Sequence, residues 1–484
     1  MNRALTPQHL ASLVGQFPRT PAYRGLRQVL QDLIGDGRIP LDTRLPSERT
    51  VSQQLGVSRN TVTRAYADLV AAGFATTRHG AGTFAAVPAE RRRAHEHALR
   101  AVGAPHDHDG SIDLTCASTT AIAGLGAAYE RAMQRLPTYL GTDGYRPTGL
   151  PALRSLIAAQ FSHRGLPTHA DQIMVTSGAL AATAVVARAL SRPGDRVMIE
   201  SPVYPNVIEA LRLGGARLVA SPMGDALGDE GWDLDGVAAT LTQTRPHLAY
   251  LIPDFQNPTG FLMRDDQRAA YAAALQATRT VPIVDESLQA LSLTDAAMPL
   301  PFAAHAPEAV TLGSVSKLYW SGLRVGWIRA PQGMMDRLVK ARLQLDLGTA
   351  LFDQLVVTEL LQDDTLLAAR RTQLRQRRDA LAHAIATQLP DWRFRLPPGG
   401  MTLWLQLPGG ASATQLAARL DAAGVHVPPG PMFSVEGGGD QWLRIPFVRE
   451  EAQLVEAVRR IAEVWSKAPT RRSARRDGSE VVIL

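Results

Sequence analysis

The sequence predicts a multidomain α/β protein, in which a small helical head precedes a larger body built on a mostly parallel central sheet. The chain has 484 residues, which is more than one compact core usually holds, so we expect two or three domains. Helical periodicity dominates residues 21–86, whereas from 112 to 466 helical stretches alternate with short β-branched runs. These runs occupy 173–175, 197–199, 249–252 and 282–284. Such alternation is typical of crossover connections between parallel strands.

Shifts in composition divide the chain into five segments. We predict an N-terminal extension at 1–20, the head at 21–86, a linker at 87–111, the body at 112–466 and a basic tail at 467–484. The linker is polar and has no apolar periodicity. Its histidines, His106 and His108, have no cysteine or carboxylate at ligand spacing, so we expect no metal site.

The composition is that of a globular protein, with 45% hydrophobic and 20% charged residues. There is no run of apolar residues long enough to cross a membrane and no signal-type apolar region at the start of the chain, so we expect no membrane partner. Cys116, the single cysteine, is compatible with a reducing compartment. The expected location is therefore the cytoplasm.

Charge is distributed unevenly along the chain, whose total net charge is +6. Residues 1–100 contain fourteen arginines and seven acidic residues, which gives +7 for this part. The segment from 467 to 484 adds five basic and two acidic residues, so the middle of the chain is slightly acidic. A basic head on such a body indicates a polyanionic partner for the head.

The head contains a helix-turn-helix pattern. Ser47 can cap a helix over 48–55, and Ser58 can cap a second helix that begins at Arg59 and ends at Gly73. Two helices across a tight glycine-containing turn, with polar residues at the start of the second, match helix-turn-helix geometry. Residues 74–77 and 82–86 can pair behind them as a β-wing.

Residues 37–86, from "GRIPLDTRLPSERTVSQQLGVSRNTVTRAY" to "GAGTFAA", resemble the winged helix-turn-helix of GntR-type transcription factors. The resemblance implies that Arg49 and Arg59 contact double-stranded DNA and that His79 and Gly80 approach the minor groove. An arginine at the start of a recognition helix can bind guanine with two hydrogen bonds. The predicted DNA-binding residues are Ser47, Arg49, Arg59, Thr61, Arg64, His79 and Gly80. The alternative is a winged helix that binds protein.

Lysine is nearly absent from the chain: the 51 basic residues include only Lys317, Lys340 and Lys467. Among basic side chains, only lysine forms a Schiff base with an aldehyde, because the guanidinium of arginine stays protonated. Lys317 lies in Ser314-Val-Ser316-Lys317, with Arg324 seven residues later. Hydroxyls and an arginine beside a lysine amine predict pyridoxal 5′-phosphate (PLP), with a solvated surface lysine as the alternative.

Four further motifs supply groups for this cofactor. Thr176-Ser177-Gly178-Ala179 follows a strand and opens a helix, which makes an anion site for a phosphate. Asp285 ends a buried strand, where a protonated pyridine nitrogen would be its counterion. Tyr204 follows another strand and can stack on the ring. Asn257, in the turn Asn-Pro-Thr-Gly, can bond a phenolic oxygen.

In this order, the motifs S-G-A, E-x-P-x-Y, N-P-T-G, V-D and S-x-S-K-x₆-R resemble those of fold-type I aminotransferases over most of the body. The resemblance implies Lys317 as the Schiff-base lysine, with Asp285 on the pyridine nitrogen, Asn257 on O3′ and Tyr204 on the ring face. It implies Arg444 as the residue that binds the α-carboxylate of a substrate or effector. The implied phosphate ligands are Gly178, Ala179, Ser314, Ser316 and Arg324, with Tyr145 reaching the phosphate of a neighbouring subunit.

The chain departs from that family at two places. Relatives usually have a tyrosine two or three residues after the aspartate, where this chain has Ser287 and Leu288. Position 180, often glutamine, is Leu180. The loss of these donors predicts weak or absent transamination without loss of PLP binding.

The combination of the two modules resembles the MocR/GabR regulators. It implies a homodimer, commonly head-to-tail, that binds an operator with two half-sites. It also implies that PLP, or an amine or amino-acid effector that exchanges with the Lys317 Schiff base, modulates DNA binding. Two alternatives stay open: an active PLP-dependent aminotransferase, and a DNA-binding protein whose body is only a dimerisation scaffold.

Overall fold

The structure, a computed structural model, describes residues 4–88 and 110–467. Most of the predicted linker and nearly all of the predicted basic tail, including His106 and His108, lie outside the described residues. Within the described ranges, no helix is long and apolar enough to cross a membrane, and no cluster of metal-binding side chains occurs.

The head is a winged helix-turn-helix. Its helices are α1 (Pro7–Val14), α2 (Ala22–Gly35), α3 (Glu48–Leu55) and α4 (Arg59–Ala71). The wing strands β1 (Ala75–Arg78) and β2 (Gly82–Ala85) pair antiparallel. The side chains of Ser47 and Ser58 accept backbone N–H groups at the starts of α3 and α4, as the sequence predicts. Gly56 ends α3 in the left-handed conformation that glycine adopts without strain.

Helix α1 belongs to the core of the head, although the sequence pattern assigned it to a separate extension. Leu10 is fully buried, and Val14 and Phe17 are also buried. All three pack in one cluster with residues of α2, α3 and α4. The apolar positions of α1 span only two turns, which is too short a periodicity to identify from sequence.

The body begins with β3 (Ile112–Asp113) and contains twelve α-helices and eleven further strands among the described residues. The helices are α5 (Leu125–Arg135), α6 (Pro151–His163), α7 (Ala179–Leu190), α8 (Pro205–Leu213), α9 (Leu234–Thr244), α10 (Asp265–Thr278), α11 (Phe302–His305), α12 (Gln332–Leu343), α13 (Leu351–Leu360), α14 (Asp364–Gln388), α15 (Ala413–Ala422) and α16 (Glu451–Ser466). The strands are β4 (Ile173–Thr176), β5 (Arg196–Ser201), β6 (Arg217–Pro222), β7 (Leu248–Leu251), β8 (Val281–Asp285), β9 (Val310–Ser314), β10 (Gly326–Arg329), β11 (Arg393–Phe394), β12 (Thr402–Gln406), β13 (Val425–His426) and β14 (Trp442–Pro446).

Seven strands form the central sheet in the order β4-β10-β9-β8-β7-β5-β6. All neighbouring pairs are parallel except the two that β10 makes with β4 and β9. The predicted α/β body with a mostly parallel sheet is therefore confirmed. The four strands expected from sequence are present as β4, β5, β7 and β8.

Two smaller sheets complete the body. Strands β11, β12 and β14 form an antiparallel sheet, and β13 pairs in parallel with β3. In the first of these sheets Trp404 lies opposite Arg444. This pairing places an aromatic side chain beside the predicted carboxylate-binding arginine.

The head packs against the body of its own chain at α1. The backbone of Ala4 exchanges two hydrogen bonds with the Gln243 side chain, of 3.2 and 3.1 Å. His9 Nε2 lies 2.9 Å from Asp233 Oδ2, and this hydrogen bond raises the pKa of His9. The head and the body also meet at the end of α2, where Asp36 contacts Trp442.

We expect Leu10→Ala to lower the free energy of unfolding of the head by about 2–5 kcal/mol, because it removes a fully buried side chain from a packed core. Far-UV circular dichroism during urea unfolding measures this loss. All seven tryptophans of the chain lie at or after position 232, so their fluorescence follows the body separately. Ser12→Ala, at an exposed position of the same helix, is the control. Equal stability of the two variants would show that α1 is not part of the core.

Candidate functional site

The candidate site lies where several strands of the central sheet end. Strand β8 ends at Asp285, β9 ends at Ser314 just before Lys317, and β4 leads into Gly178 at the start of α7. Carboxyl ends of parallel strands are the usual location of ligand groups in α/β folds. The antiparallel β10 returns the chain between β9 and β4, and Arg324 precedes it.

Lys317 lies at the centre of these groups. Its Nζ donates a 2.7 Å hydrogen bond to the carbonyl oxygen of Ala117. Burial lowers the pKa of Lys317, and the charges of Arg444 and Arg324 lower it further, while Cys116 and Asp285 oppose the shift. A lowered pKa increases the neutral fraction of the amine, which is the form that attacks an aldehyde.

The predicted phosphate ligands come together beside Lys317. Arg324 Nη2 donates to the carbonyl oxygen of Ser177 over 2.9 Å, and Nη1 lies 3.3 Å from Ser316 Oγ. Ser314 Oγ donates to Ser316 Oγ over 3.1 Å. The backbone N–H groups of Gly178 and Ala179 are at the N-terminus of α7, where the helix dipole favours an anion. These donors make a site that fits a phosphate.

A glycine is required at position 178. Its φ is +107°, and a Cβ there would lie 2.8 Å from Arg324 Nη2. Alanine would therefore strain the backbone and displace the guanidinium from the predicted phosphate site.

Asp285 is buried and accepts two hydrogen bonds. Tyr250 donates its hydroxyl to Oδ2 over 2.6 Å, and the Ser287 backbone N–H donates to Oδ1 over 2.9 Å. Burial and proximity to the carboxylate both raise the pKa of Tyr250. Donors to both oxygens stabilise the ionised carboxylate, which is the form that pairs with a protonated pyridine nitrogen. Sequence reasoning missed Tyr250; its position on β7, beside β8, was the available signal.

Arg444 is buried on β14 and reaches toward the same site. Its Nη1 donates to Asn257 Oδ1 over 3.4 Å, and Nη2 donates to the carbonyl oxygen of Thr115. Its Nε is buried and has no hydrogen-bond partner among the described residues. Burial lowers the pKa of Arg444 to about 10. A buried guanidinium with an unsatisfied donor fits a carboxylate ligand.

Tyr204 and Cys116 complete the surroundings of Lys317. Tyr204 precedes α8, and burial of its side chain raises its pKa. Cys116 lies close enough to influence the pKa values of Tyr204, Lys317 and Arg444. From sequence, Cys116 indicated only a reducing compartment, because the segment around it contains no motif. Tyr145 is 59% exposed, in a segment outside this cluster.

The structure shows the surroundings of the residues at which the chain departs from the aminotransferase pattern. Leu288 packs against the main hydrophobic core. The Ser287 hydroxyl is buried and has no hydrogen-bond partner among the described residues. Leu180 is 38% exposed, one residue into α7. The two leucine side chains have no hydrogen-bond donor to replace those that the family usually has.

The predicted DNA-binding residues of the helices lie on the surface of the head. Arg49 and Arg59 are exposed, and Arg59 Nε is 3.8 Å from Glu48 Oε2. The Ser47 and Thr61 side chains take part in the caps of α3 and α4.

Arg64 has a contact within the head that the sequence did not indicate: its guanidinium stacks 4.0 Å over the ring of Tyr23. His79 and Gly80 are exposed in the turn of the wing. Gly80 has a φ of +70°, which suits a tight turn between β1 and β2.

Comparison with known families identifies both modules. Residues 123–461 match aminotransferase class I and II, and residues 22–85 match the bacterial regulatory proteins of the gntR family. The chain belongs to the aminotransferase class I and II family. It joins a GntR-type DNA-binding head to a PLP aminotransferase-like domain, so the predicted combination is confirmed.

Two regulators and one solved aminotransferase are among the proteins that this chain resembles. The uncharacterized HTH-type transcriptional regulator YisV of Bacillus subtilis is 26% identical over 86% of this chain and 90% of its own length. The probable rhizopine catabolism regulatory protein MocR of Rhizobium meliloti is 29% identical over 65% of this chain and 66% of its own length. The solved α-aminoadipate aminotransferase LysN of Thermus thermophilus, in complex with N-(5′-phosphopyridoxyl)-L-leucine, has a TM-score of 0.67. It is 30% identical, and the match covers 74% of this chain and 92% of that protein.

The residues of the site fit PLP. The helix N-terminus at Gly178, the hydroxyls of Ser314 and Ser316 and the Arg324 guanidinium suit its phosphate. The Lys317 amine suits its aldehyde, and the Asp285 carboxylate suits its ring nitrogen.

We expect Gly178→Ala to weaken PLP binding about tenfold or more, which corresponds to ~1.4 kcal/mol or more. The added methyl group would displace Arg324. Titration of the visible absorbance of the lysine-bound cofactor measures the affinity. Gly194→Ala is a matched control, because Gly194 has a φ of +92° and nothing lies within 4 Å of the place that its added methyl group would take. If both variants bind PLP like the parent chain, the phosphate does not lie at Gly178.

Proposed function

We propose that the protein is a transcriptional regulator whose body senses PLP or an amino-acid effector and whose head binds an operator with two half-sites. The observation that carries the sensing role is the buried Arg444 guanidinium, whose Nε lacks a hydrogen-bond partner among the described residues. An amino acid whose amine reaches Lys317 can place its α-carboxylate on this arginine. A single amino-acid ligand would then contact both Lys317 and Arg444.

Bound PLP supplies an aldehyde for amines and a ring that withdraws electrons. Residues of the chain would bind and orient the cofactor and the effector. Asp285, which accepts hydrogen bonds on both oxygens, would pair with the ring nitrogen and favour its protonated form. Burial lowers the pKa of Lys317, which increases the neutral fraction of its amine. The N-terminus of α7 and Arg324 would hold the phosphate of the cofactor, and Arg444 would favour effectors that have a carboxylate.

An active aminotransferase is the second candidate, because the solved relative LysN is one by name. Leu288 and Leu180 favour the regulator, since their side chains have no hydrogen-bond donor where the family usually has tyrosine and glutamine. Release of keto acid from the bound amino acid in many turnovers would favour the enzyme. A single stoichiometric spectral change without turnover would favour the sensor.

The proposed assembly is a homodimer in the cytoplasm, with the two heads on two half-sites. Tyr145, which is exposed, is available to a neighbouring subunit as the family resemblance implies. In a head-to-tail dimer, the head of one chain would lie near the body of the other. A C₂ dimer also matches the symmetry of an operator with two half-sites.

We expect Arg59→Ala to weaken DNA binding about tenfold or more, because a bidentate contact between arginine and guanine contributes about 1–3 kcal/mol. PLP binding should not change, since Arg59 lies on the exposed start of α4 in the head. Fluorescence anisotropy with duplexes from the promoter region of the protein's own gene measures this. Arg188→Ala, which removes the same charge from the body, is the control. Equal effects of the two substitutions would contradict the assignment of α4 as the recognition helix.

We expect Arg444→Met to remove the preference for carboxylate-bearing ligands while PLP still binds. The parent chain should bind L-leucine about 10–100 times more tightly than 3-methylbutylamine, which lacks the carboxylate, because hydrogen bonds to charged groups contribute about 1.5–3 kcal/mol. Spectral titration of the PLP-loaded chain measures both ligands. If the variant keeps the preference, another residue binds the carboxylate.

A further inference from the structure

The end of helix α2 makes the second contact between head and body. Trp442 Nε1 donates a 2.9 Å hydrogen bond to Asp36 Oδ1, and Gln441 Nε2 donates to the same oxygen. The backbone N–H of Gly439 donates to the carbonyl oxygen of Gly35, the last residue of α2. A terminal helix carbonyl of the head is thus satisfied by the body.

Asp36 lies directly after the last residue of α2, where a negative charge is unfavourable for the helix. A carboxylate at a helix C-terminus faces the negative end of the helix dipole, and Asp32 lies one turn earlier. Burial raises the pKa of Asp36 to about 7, and the charge of Asp32 contributes in the same direction. The hydrogen bonds from Trp442 and Gln441 oppose the shift. The favourable partners of Asp36 therefore include two side chains of the body.

The body approaches α2 through a run of three glycines. Gly437, Gly438 and Gly439 all have positive φ angles, of 94°, 103° and 72°. A Cβ on Gly438 would lie 3.1 Å from the carbonyl oxygen of Gly35. The run ends three residues before Trp442, so the same loop provides the close backbone contact and leads into β14.

A chain of aromatic contacts joins this contact to Arg444. The rings of Trp442 and Trp404 are stacked, with centroids 5.6 Å apart and an interplanar angle of 3°. Trp404 meets Phe433 edge-on at 5.4 Å. The Arg444 guanidinium lies 4.8 Å from the centroid of the Phe433 ring. Trp442 and Arg444 are two residues apart on β14, so they share one face of that strand.

Two further features connect this aromatic cluster to the site. Phe433 accepts a 2.8 Å hydrogen bond from the Val203 backbone N–H, next to Tyr204. A cavity between head and body is lined by Asp36 and Trp442, and also by Pro202 and Thr259. These last two residues lie two positions from Tyr204 and Asn257, so the head borders the rim of the site.

We propose that the surface formed by residues 437–442 is the docking site for the end of α2, and that occupation of Arg444 by a carboxylate changes this docking through Phe433, Trp404 and Trp442. The inference rests on the proposed function, because it assigns a route from the effector site to the DNA-binding head. A carboxylate on Arg444 competes with the face of Phe433 for the guanidinium. Movement of that ring alters the packing of Trp404 and of the hydrogen-bond donor Trp442. The head then changes its orientation.

Hydrogen–deuterium exchange on the full chain tests this route. The probe N-(5′-phosphopyridoxyl)-L-leucine carries a phosphate, a pyridine ring and a carboxylate, whereas pyridoxamine 5′-phosphate lacks the carboxylate. We expect the two probes to differ about fivefold or more in exchange rates at 34–41 and 437–443 of the parent chain, which is a typical allosteric coupling. Equal exchange with both probes bound would overturn the inference.

Two variants break the contact from opposite sides. Asp36→Ala removes the acceptor in the head, and Trp442→Phe removes the indole donor while keeping an aromatic ring. In both, we expect the two segments to exchange fast with either probe, while both probes still bind. Trp392→Phe is the matched control, because Trp392 is a buried tryptophan of the body outside this cluster. A difference between probes that persists in both variants would also overturn the inference.

The outcomes separate the inference from the proposed function. If the phosphopyridoxyl probe binds no more tightly than pyridoxamine 5′-phosphate, Arg444 does not hold a carboxylate, and the proposed sensing role fails together with the inference. If that probe binds more tightly but leaves exchange at 34–41 unchanged, the inference alone fails.

Discussion

The candidate site depends on the close approach of three strands at Gly326. This residue pairs with Thr176 on β4 and with Ser314 on β9. A Cβ at Gly326 would lie 2.6 Å from the Gly313 carbonyl oxygen and 2.7 Å from Gly178 Cα, so only glycine allows this packing. The start of α7 and the segment that carries Lys317 therefore face each other across one intervening strand. The predicted phosphate ligands, which come from distant parts of the sequence, meet for this reason.

The charges of the site suit a ligand with several negative groups. Lys317, Arg324 and Arg444 are near one another, and Asp285 is the nearby carboxylate that affects the lysine. Burial lowers the pKa values of Lys317 and Arg444, because each cation loses hydration in the enclosed site. An anionic phosphate and a carboxylate would offset that loss. The electrostatics therefore support one ligand with both groups, such as a PLP-bound amino acid.

Much of the fold could be predicted from sequence because local chemistry agrees with it. Ser47 and Ser58 mark the helix starts in the head, and the β-branched runs mark four strands of the sheet. Strand β10 was not predicted, and it runs against the parallel direction that the alternation of helices and strands indicates. Helix α1 was missed as part of the head because its two buried apolar positions give too short a period.

The residues of the candidate site that could be predicted are those that lie in short sequence motifs. Lys317, Asp285, Asn257 and Arg444 each lie in a recognisable short pattern, and the structure brings them together. Their assignment to individual atoms of the cofactor stays a prediction. Tyr250 was missed because it becomes relevant only when β7 and β8 pair. Cys116 was missed because the segment around it has no regular structure between β3 and α5.

The carboxylate of Asp36 is unfavourable at the end of its own helix, and this points to a contact between the head and the body. Its carboxylate lies at the wrong end of α2 for the helix dipole, and burial disfavours its charge. The hydrogen-bond donors to this carboxylate, Gln441 and Trp442, belong to the body, while the head contributes the charge of Arg38. In this contact the desolvation of the Asp36 carboxylate opposes the hydrogen bonds that it accepts. If a ligand on Arg444 changes the docking of the head, as we propose, this balance between desolvation and hydrogen bonding is where a change in the body would act on α2.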